Sequence, residues 1–138
     1  MSYTFLDHAT DAIIEVTAKD LKEAFLVTAE AIINLTLDQD KVQEKDQMDF
    51  SAQGKDLEYL LFNWIEEVTF VLITKGFAIK RIELNIKKEE IYHITAKAFG
   101  EPLEFSQHNF KVEIKAPTFY DMEIQTGDTI YMRFLLDL

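Results

Sequence analysis

The pentapeptide Asp7-His8-Ala9-Thr10-Asp11 places two carboxylates, an imidazole and a hydroxyl side by side. On a short loop between two strands these groups can point outward together. Hard cations such as Mg²⁺ and Ca²⁺ take several oxygen ligands, and loop carboxylates supply them. Asp and Thr are also ordinary turn formers, because their side chains hydrogen-bond nearby backbone. By spacing alone the segment therefore reads first as a turn and second as a cation or catalytic site, and His8 alone reads as a hydrogen-bonded loop residue. A further acid, Asp137, interrupts the apolar run Phe134-Leu135-Leu136. If that strand pairs beside those flanking the loop, Asp137 meets Asp11, and the main-chain or terminal oxygen of Leu138 adds a third ligand for the same cation. The alternative is a solvated acid on a frayed end.

Other chemistry-bearing residues are less well arranged. Ser2, Ser51 and Ser106 lack the strained strand-to-helix context of an activated serine, and no glycine-rich loop is present to cradle phosphate. A stand-alone hydrolase built on Asp7, His8 and Asp11 would lack both nucleophile and phosphate cradle. Glu66-Glu67 falls on a helix edge and Glu89-Glu90 in a turn, so both read as solvated charge. His93 and His108 read as surface residues. Lys97, Lys111 and Lys115 sit in strand-like stretches, where charge pairing with Glu113 is the simplest role. The sequence contains no cysteine, which excludes disulfides, thiolate zinc sites and cysteine nucleophiles. Nothing here makes a self-sufficient enzyme.

The elements that must position these residues follow from periodicity and capping. Tyr3 to Leu6 and Ala12 to Ala18 suit strands flanking the loop. Asp20, with Glu23 three residues on, signals a capping box for a helix from Leu21 to about Thr36. A polar stretch from Asp38 to Lys45 leads to a weak strand around Met48 to Gln53. Asp56 caps a second helix from Leu57 to about Thr74, and Gly76 stops it. Ile82, Leu84 and Ile86 alternate with polar residues, as do Tyr92, Ile94, Ala96 and Ala98, and the two runs read as a hairpin. Phe110, Val112 and Ile114 alternate with Lys111, Glu113 and Lys115 as a further strand. Asp121 to Gln125 and Thr129 to Asp137 flank the turn at Gly127. Both helices are apolar nearly all round, so each must be covered on more than one side. The expected fold is α+β: two long helices packed against mainly antiparallel sheet on one or both faces.

Length and composition set the outer bounds. The chain has 138 residues, 48% of them hydrophobic, and a formal net charge of -11. That is enough apolar material for one core and excludes disorder as the main state. No Pro/Gly-rich or low-complexity stretch divides it, so residues 1–138 are expected to form a single domain. The opening residues have neither a basic start nor an apolar stretch with a small-residue cleavage site, which predicts no secretory signal. No apolar run approaches the ~20 residues that cross a bilayer. A cytoplasmic protein with no membrane association is expected. Because a basic footprint supplies most affinity for phosphate backbones, direct nucleic-acid binding is not expected from a chain of this charge. Cations or a basic protein partner suit it better.

In chain order, Phe5-Leu-Asp-His-Ala-Thr-Asp11, Leu21-Lys-Glu-Ala-Phe25, Gly54-Lys-Asp-Leu-Glu-Tyr-Leu-Leu-Phe-Asn-Trp64, Ala98-Phe-Gly-Glu-Pro102, His108, Glu113-Ile-Lys-Ala116 and Leu136-Asp137-Leu138 form a set that resembles the archease family. The resemblance runs from the first strand to the last residue, and the ordered set is more specific than any piece. Two departures stand out: Ala9-Thr10 replaces the family's usual Thr-Ala, and Pro117 and Phe119-Tyr120-Asp121 stand where a Thr-Tyr-His type of sequence is common. No histidine role after Lys115 is therefore carried over.

The resemblance implies a small α+β protein that is not a ligase itself but assists the RtcB-type, GTP-dependent RNA ligase of tRNA splicing and RNA repair. It would promote the ligase's guanylylated intermediate and its multiple turnover. The family's divalent-cation site, usually seen with Ca²⁺ and also suited to Mg²⁺ or Mn²⁺, maps by the same resemblance to Asp11, Asp137 and Leu138. Asp7 and His8 are motif neighbours, and Lys115 matches a lysine that faces the ligase. The alternative is a chaperone or modulator of another RNA-modifying enzyme, such as a methyltransferase.

Overall fold

The computed structural model describes residues 1–6 and 11–138. Two helices, both opened by aspartate, set its geometry. Asp20 caps α1 (Leu21–Thr36), its Oδ1 accepting the Glu23 N–H at 2.9 Å. Glu23 Oε1 reaches back to the Lys19 N–H at 3.0 Å, one residue before the position a capping box uses. Asp56 does the same for α2 (Leu57–Thr69), accepting the Tyr59 N–H at 2.9 Å. Beyond Thr69 the helix widens into a π-helical turn, Phe70–Thr74, closed by Lys75 N–H to Phe70 O at 2.9 Å. Gly76 then stops it at φ 61°, a left-handed conformation that glycine adopts without strain.

Among the described residues the strands form two antiparallel sheets. One runs in the order β1 (Ser2–Leu6), β2 (Asp11–Ala18), β7 (Ile130–Asp137), β6 (Ala116–Gln125). The other runs β3 (Asp46–Gly54), β5 (Tyr92–Pro102), β4 (Phe77–Lys88). α1 packs on β2 and on β4, and α2 packs on β3 and on β6, so each helix touches both sheets. This is the physical reason both are apolar nearly all round. The fold is α+β, with sheet on both sides of the helices. Trp64 joins the layers: fully buried, it donates Nε1–H to Phe25 O at 2.9 Å, stacks on Phe50 at 5.3 Å and meets Phe25 edge-on at 6.5 Å.

The structure corrects one element. Residues 110–115 form no ladder, although Ile114 is buried, Phe110 and Val112 are half-buried, and Lys111, Glu113 and Lys115 are exposed. The alternation is real and reflects a strip of chain lying along the core, which period-two patterning cannot distinguish from a paired strand. No described helix is long and apolar enough to cross a membrane.

Candidate functional site

Alternation fixes which acids meet. In β2 the inward positions Ala12, Ile14, Val16 and Ala18 are buried, and in β7 so are Ile130, Met132, Phe134 and Leu136. Asp11 and Asp137 therefore stand on the opposite, outer face. The β2–β7 register sets them directly across from each other, and the β6–β7 register sets Ala116 on the other side of Asp137. Cross-strand partners of this kind have Cα atoms about 5 Å apart. Lys115, just before β6, donates its main-chain N–H to Asp137 O at 2.8 Å. Asp11 is half-buried with Oδ1 shielded from solvent, Asp137 is exposed, and Leu138 is half-buried. Thus Asp11, Asp137, Leu138 and Lys115, scattered in sequence, share one end of the sheet. Asp7 and His8 lie outside the described residues.

Like charges directly opposite in an antiparallel pair are destabilising, and a cation between them relieves that. The oxygen donors suit a hard divalent ion. Among the described residues no third acid or imidazole side chain joins the pair. The third protein ligand that these residues can offer is a main-chain oxygen such as that of Leu138.

A second constellation holds the chain that delivers Lys115. His108, expected at the surface, is fully buried, and its Nε2 lies 2.9 Å from Glu101 Oε2. Nδ1 accepts the Glu104 N–H at 3.0 Å. A nitrogen that accepts carries no proton, so Nε2 bears the hydrogen and donates to the carboxylate. Glu101 also accepts the Gln43 N–H at 3.0 Å and pairs with Lys45 at 3.6 Å. The His108 hydrogen bond, then that from Gln43, holds the Glu101 carboxyl below the usual range. Next along the chain, Lys111 Nζ lies 2.9 Å from Asp38 Oδ1 and Asn109 Nδ2 donates to Asp38 Oδ2 at 3.0 Å. Those bonds, Lys111 foremost, lower the Asp38 carboxyl to about 2. Lys111 thus pairs with Asp38 rather than with Glu113. Hydropathy gave no sign of the His108 role, since histidine and glutamate both read as surface types. The segment between β5 and β6, lacking a ladder, is pinned by these polar contacts instead.

On the same outer face as Asp11 and Asp137, Tyr131 donates to Glu15 Oε2 at 2.6 Å, and burial followed by that carboxylate pushes its phenol up to about 12. Glu66 is exposed, as expected, whereas Glu67 is half-buried.

Similarity to known proteins follows the whole fold. The family model described as "Archease protein family (MTH1598/TM1083)" matches residues 3–138. The chain is 36% identical over 141 residues to the Protein archease of Pyrobaculum islandicum, a match covering 100% of this chain and 96% of that protein. It is 32% identical over 125 residues to the Protein archease-like of Drosophila melanogaster, covering 90% and 80% respectively. The solution structure of Methanobacterium thermoautotrophicum protein 1598 matches with a TM-score of 0.81 at 29% identity, covering 99% of each chain.

Proposed function

Because this chain belongs to the archease family, we propose that it is a non-catalytic activator of an RtcB-type, GTP-dependent RNA ligase, acting in tRNA splicing and RNA repair in the cytoplasm. The observation that carries the reading is the strand register: β2 and β7 set Asp11 opposite Asp137, and Lys115 bonds to Asp137 through its main chain. In this reading the two carboxylates and a main-chain oxygen of Leu138 hold a divalent cation, Ca²⁺ by the resemblance, with Mg²⁺ or Mn²⁺ also suited. When bound, such an ion supplies concentrated positive charge at the end of an acidic protein. Asp11 and Asp137 orient that end, and Lys115 presents an exposed cation beside it. The protein lacks a phosphate-binding loop and carries a net charge of -11, so GTP and RNA are left to the ligase. The ligase, which must bind both, is the basic partner. Activation then follows if docking favours the ligase conformation that accepts the guanylyl group.

The test is guanylylation of a purified ligase of this type from the same host, with GTP and Mn²⁺ or Mg²⁺, in the presence of wild type, Asp11→Ala or Asp137→Ala. Stimulation by the wild type alone is expected. Stimulation by all three removes the acid pair from the mechanism, and stimulation by none removes the partner and favours a modulator of another RNA-modifying enzyme.

A further inference from the structure

One stripe of α2 and of the π-helical turn behind it carries exposed side chains at Tyr59, Glu66 and Phe70. Tyr59, Phe62, Glu66, Phe70 and Ile73 recur at steps of three and four residues and so form one stripe. Phe119 of β6 lies over its start, stacked on Phe62 at 4.3 Å and tilted against Tyr59 at 4.9 Å. Over its end, between the π-helical turn and residues 113–117, is a groove of about 370 Å³ lined by Glu66, Phe70, Glu113 and Lys115. Lys115 and Ala116, which line the groove, are also the neighbours of Asp137, through the Lys115 N–H and the β6–β7 register, so the groove lies beside the candidate site.

This face is aromatic and open. Among the described residues seven large apolar side chains are exposed, and three of them, Tyr59, Phe70 and Phe119, are on this stripe. β6 is irregular where Phe119 enters the stripe: four residues, 119–122, stand opposite the single Phe134, with Asp121 at φ 58°. Such bulges re-aim side chains and end pairing. Cations already use these rings within the chain, Lys55 Nζ lying 4.4 Å from the Tyr59 centroid and Lys75 Nζ 5.9 Å from that of Phe70. Glu66 and Glu113, by contrast, form no ion pair with the described residues. Exposed ring faces beside two carboxylates suit arginine, whose flat guanidinium stacks on aromatics and pairs with acids together.

We propose that this stripe is the docking surface for an arginine-bearing segment of the partner protein, and that it sets affinity while the Asp11–Asp137 end sets activation. The proposal rests on the ligase reading above: an enzyme that binds GTP and RNA is basic around its substrate channel, which complements an acidic chain. Aromatic side chains and acids at an arginine contact are also where binding energy concentrates.

The experiment titrates the guanylylation assay with wild type, Phe70→Ala, Glu66→Lys and, as a charge control, Glu90→Lys in the β4–β5 turn. Circular dichroism confirms that each is folded. Phe70→Ala and Glu66→Lys are expected to raise the half-saturating concentration tenfold or more while leaving stimulation at saturation unchanged. Glu90→Lys is expected to match wild type. If Phe70→Ala and Glu66→Lys saturate like wild type, or Glu90→Lys weakens as much as Glu66→Lys, the surface is wrong although the ligase reading stands. If wild type itself does not stimulate, both fall.

Discussion

His108 donates from Nε2 to Glu101 Oε2 at 2.9 Å, with its ring fully removed from solvent and its other nitrogen accepting the Glu104 N–H at 3.0 Å. Both ring nitrogens are therefore satisfied, and the contact closes the chain that returns from β5 toward β6. Removing one partner leaves the other buried with an unmet hydrogen bond.

Replacing His108 with Ala is expected to destabilise the fold by about 2 to 3 kcal/mol, the scale for leaving a buried carboxylate and a buried N–H without their hydrogen-bond partner. Glu101→Gln, which can still accept a hydrogen bond, should lose less. Urea unfolding reads both. Long-range ¹H–¹⁵N NMR spectra of the wild type should show the neutral Nε2–H tautomer; the opposite tautomer would contradict the geometry.

The acid limb of stability follows from carboxyls held below their ordinary values. Asp38 is lowered from 3.8 to about 2, chiefly by Lys111, and Glu101 is lowered from 4.5, chiefly by His108. A carboxyl that is more acidic when folded contributes stability above its unfolded value and loses it as pH falls through the folded one. For Asp38 the loss spans roughly pH 4 down to 2. Lys111→Met should therefore flatten the decline of thermal stability across that window and leave the curve shape above pH 5 unchanged. Lys111 is exposed and Asp38 only half-buried, so solvent screens the pair and the neutral-pH effect of that substitution should be small. An unchanged slope between pH 4 and 2 would show that Lys111 is not what acidifies Asp38.

Capping and periodicity made the helices legible. Asp20 and Asp56 start them as expected, and the all-round apolar faces of α1 and α2 required cover on two sides, which the two sheets provide. The pairing of Asp11 with Asp137 was legible only conditionally, because register between strands so distant in sequence is set by packing that no local pattern encodes. Residues 110–115 mimic a strand because lying along a core imposes the same alternation as a ladder. His108 escaped for a related reason: burial of a polar pair depends on Glu101 and the Glu104 N–H converging, and neither shows in hydropathy.

Gly100 tests the close approach behind that pair. A Cβ built there would lie 1.8 Å from Ala78 O, a backbone atom that cannot swing aside, where β4 and β5 change register between Ile79 and Arg81. Gly100→Ala must push the two strands apart beside Glu101. A loss of about 3 kcal/mol or more is expected. The shift should also weaken protection of the Lys45 amide, which donates to Gly100 O at 2.9 Å, in hydrogen exchange. A variant as stable as wild type would mean that this strand crossing is loose.

The two acids at the sheet end make opposite contributions with and without a cation. In chelator, Asp137→Asn removes one of two like charges held across the β2–β7 ladder, so this variant should be as stable as wild type or slightly more so. With Ca²⁺ at a hundredfold excess over its dissociation constant, the wild type should gain about 2.7 kcal/mol through binding to the folded state alone. The variant, with one oxygen donor weakened, should gain far less at the same concentration. The order of stability should then reverse between chelator and Ca²⁺, which separates a ligand role from a purely structural one. Thermal denaturation in EDTA and across a Ca²⁺ titration, with calorimetry for the binding itself, reads the reversal; a wild type indifferent to Ca²⁺, Mg²⁺ and Mn²⁺ alike would dispose of the cation site.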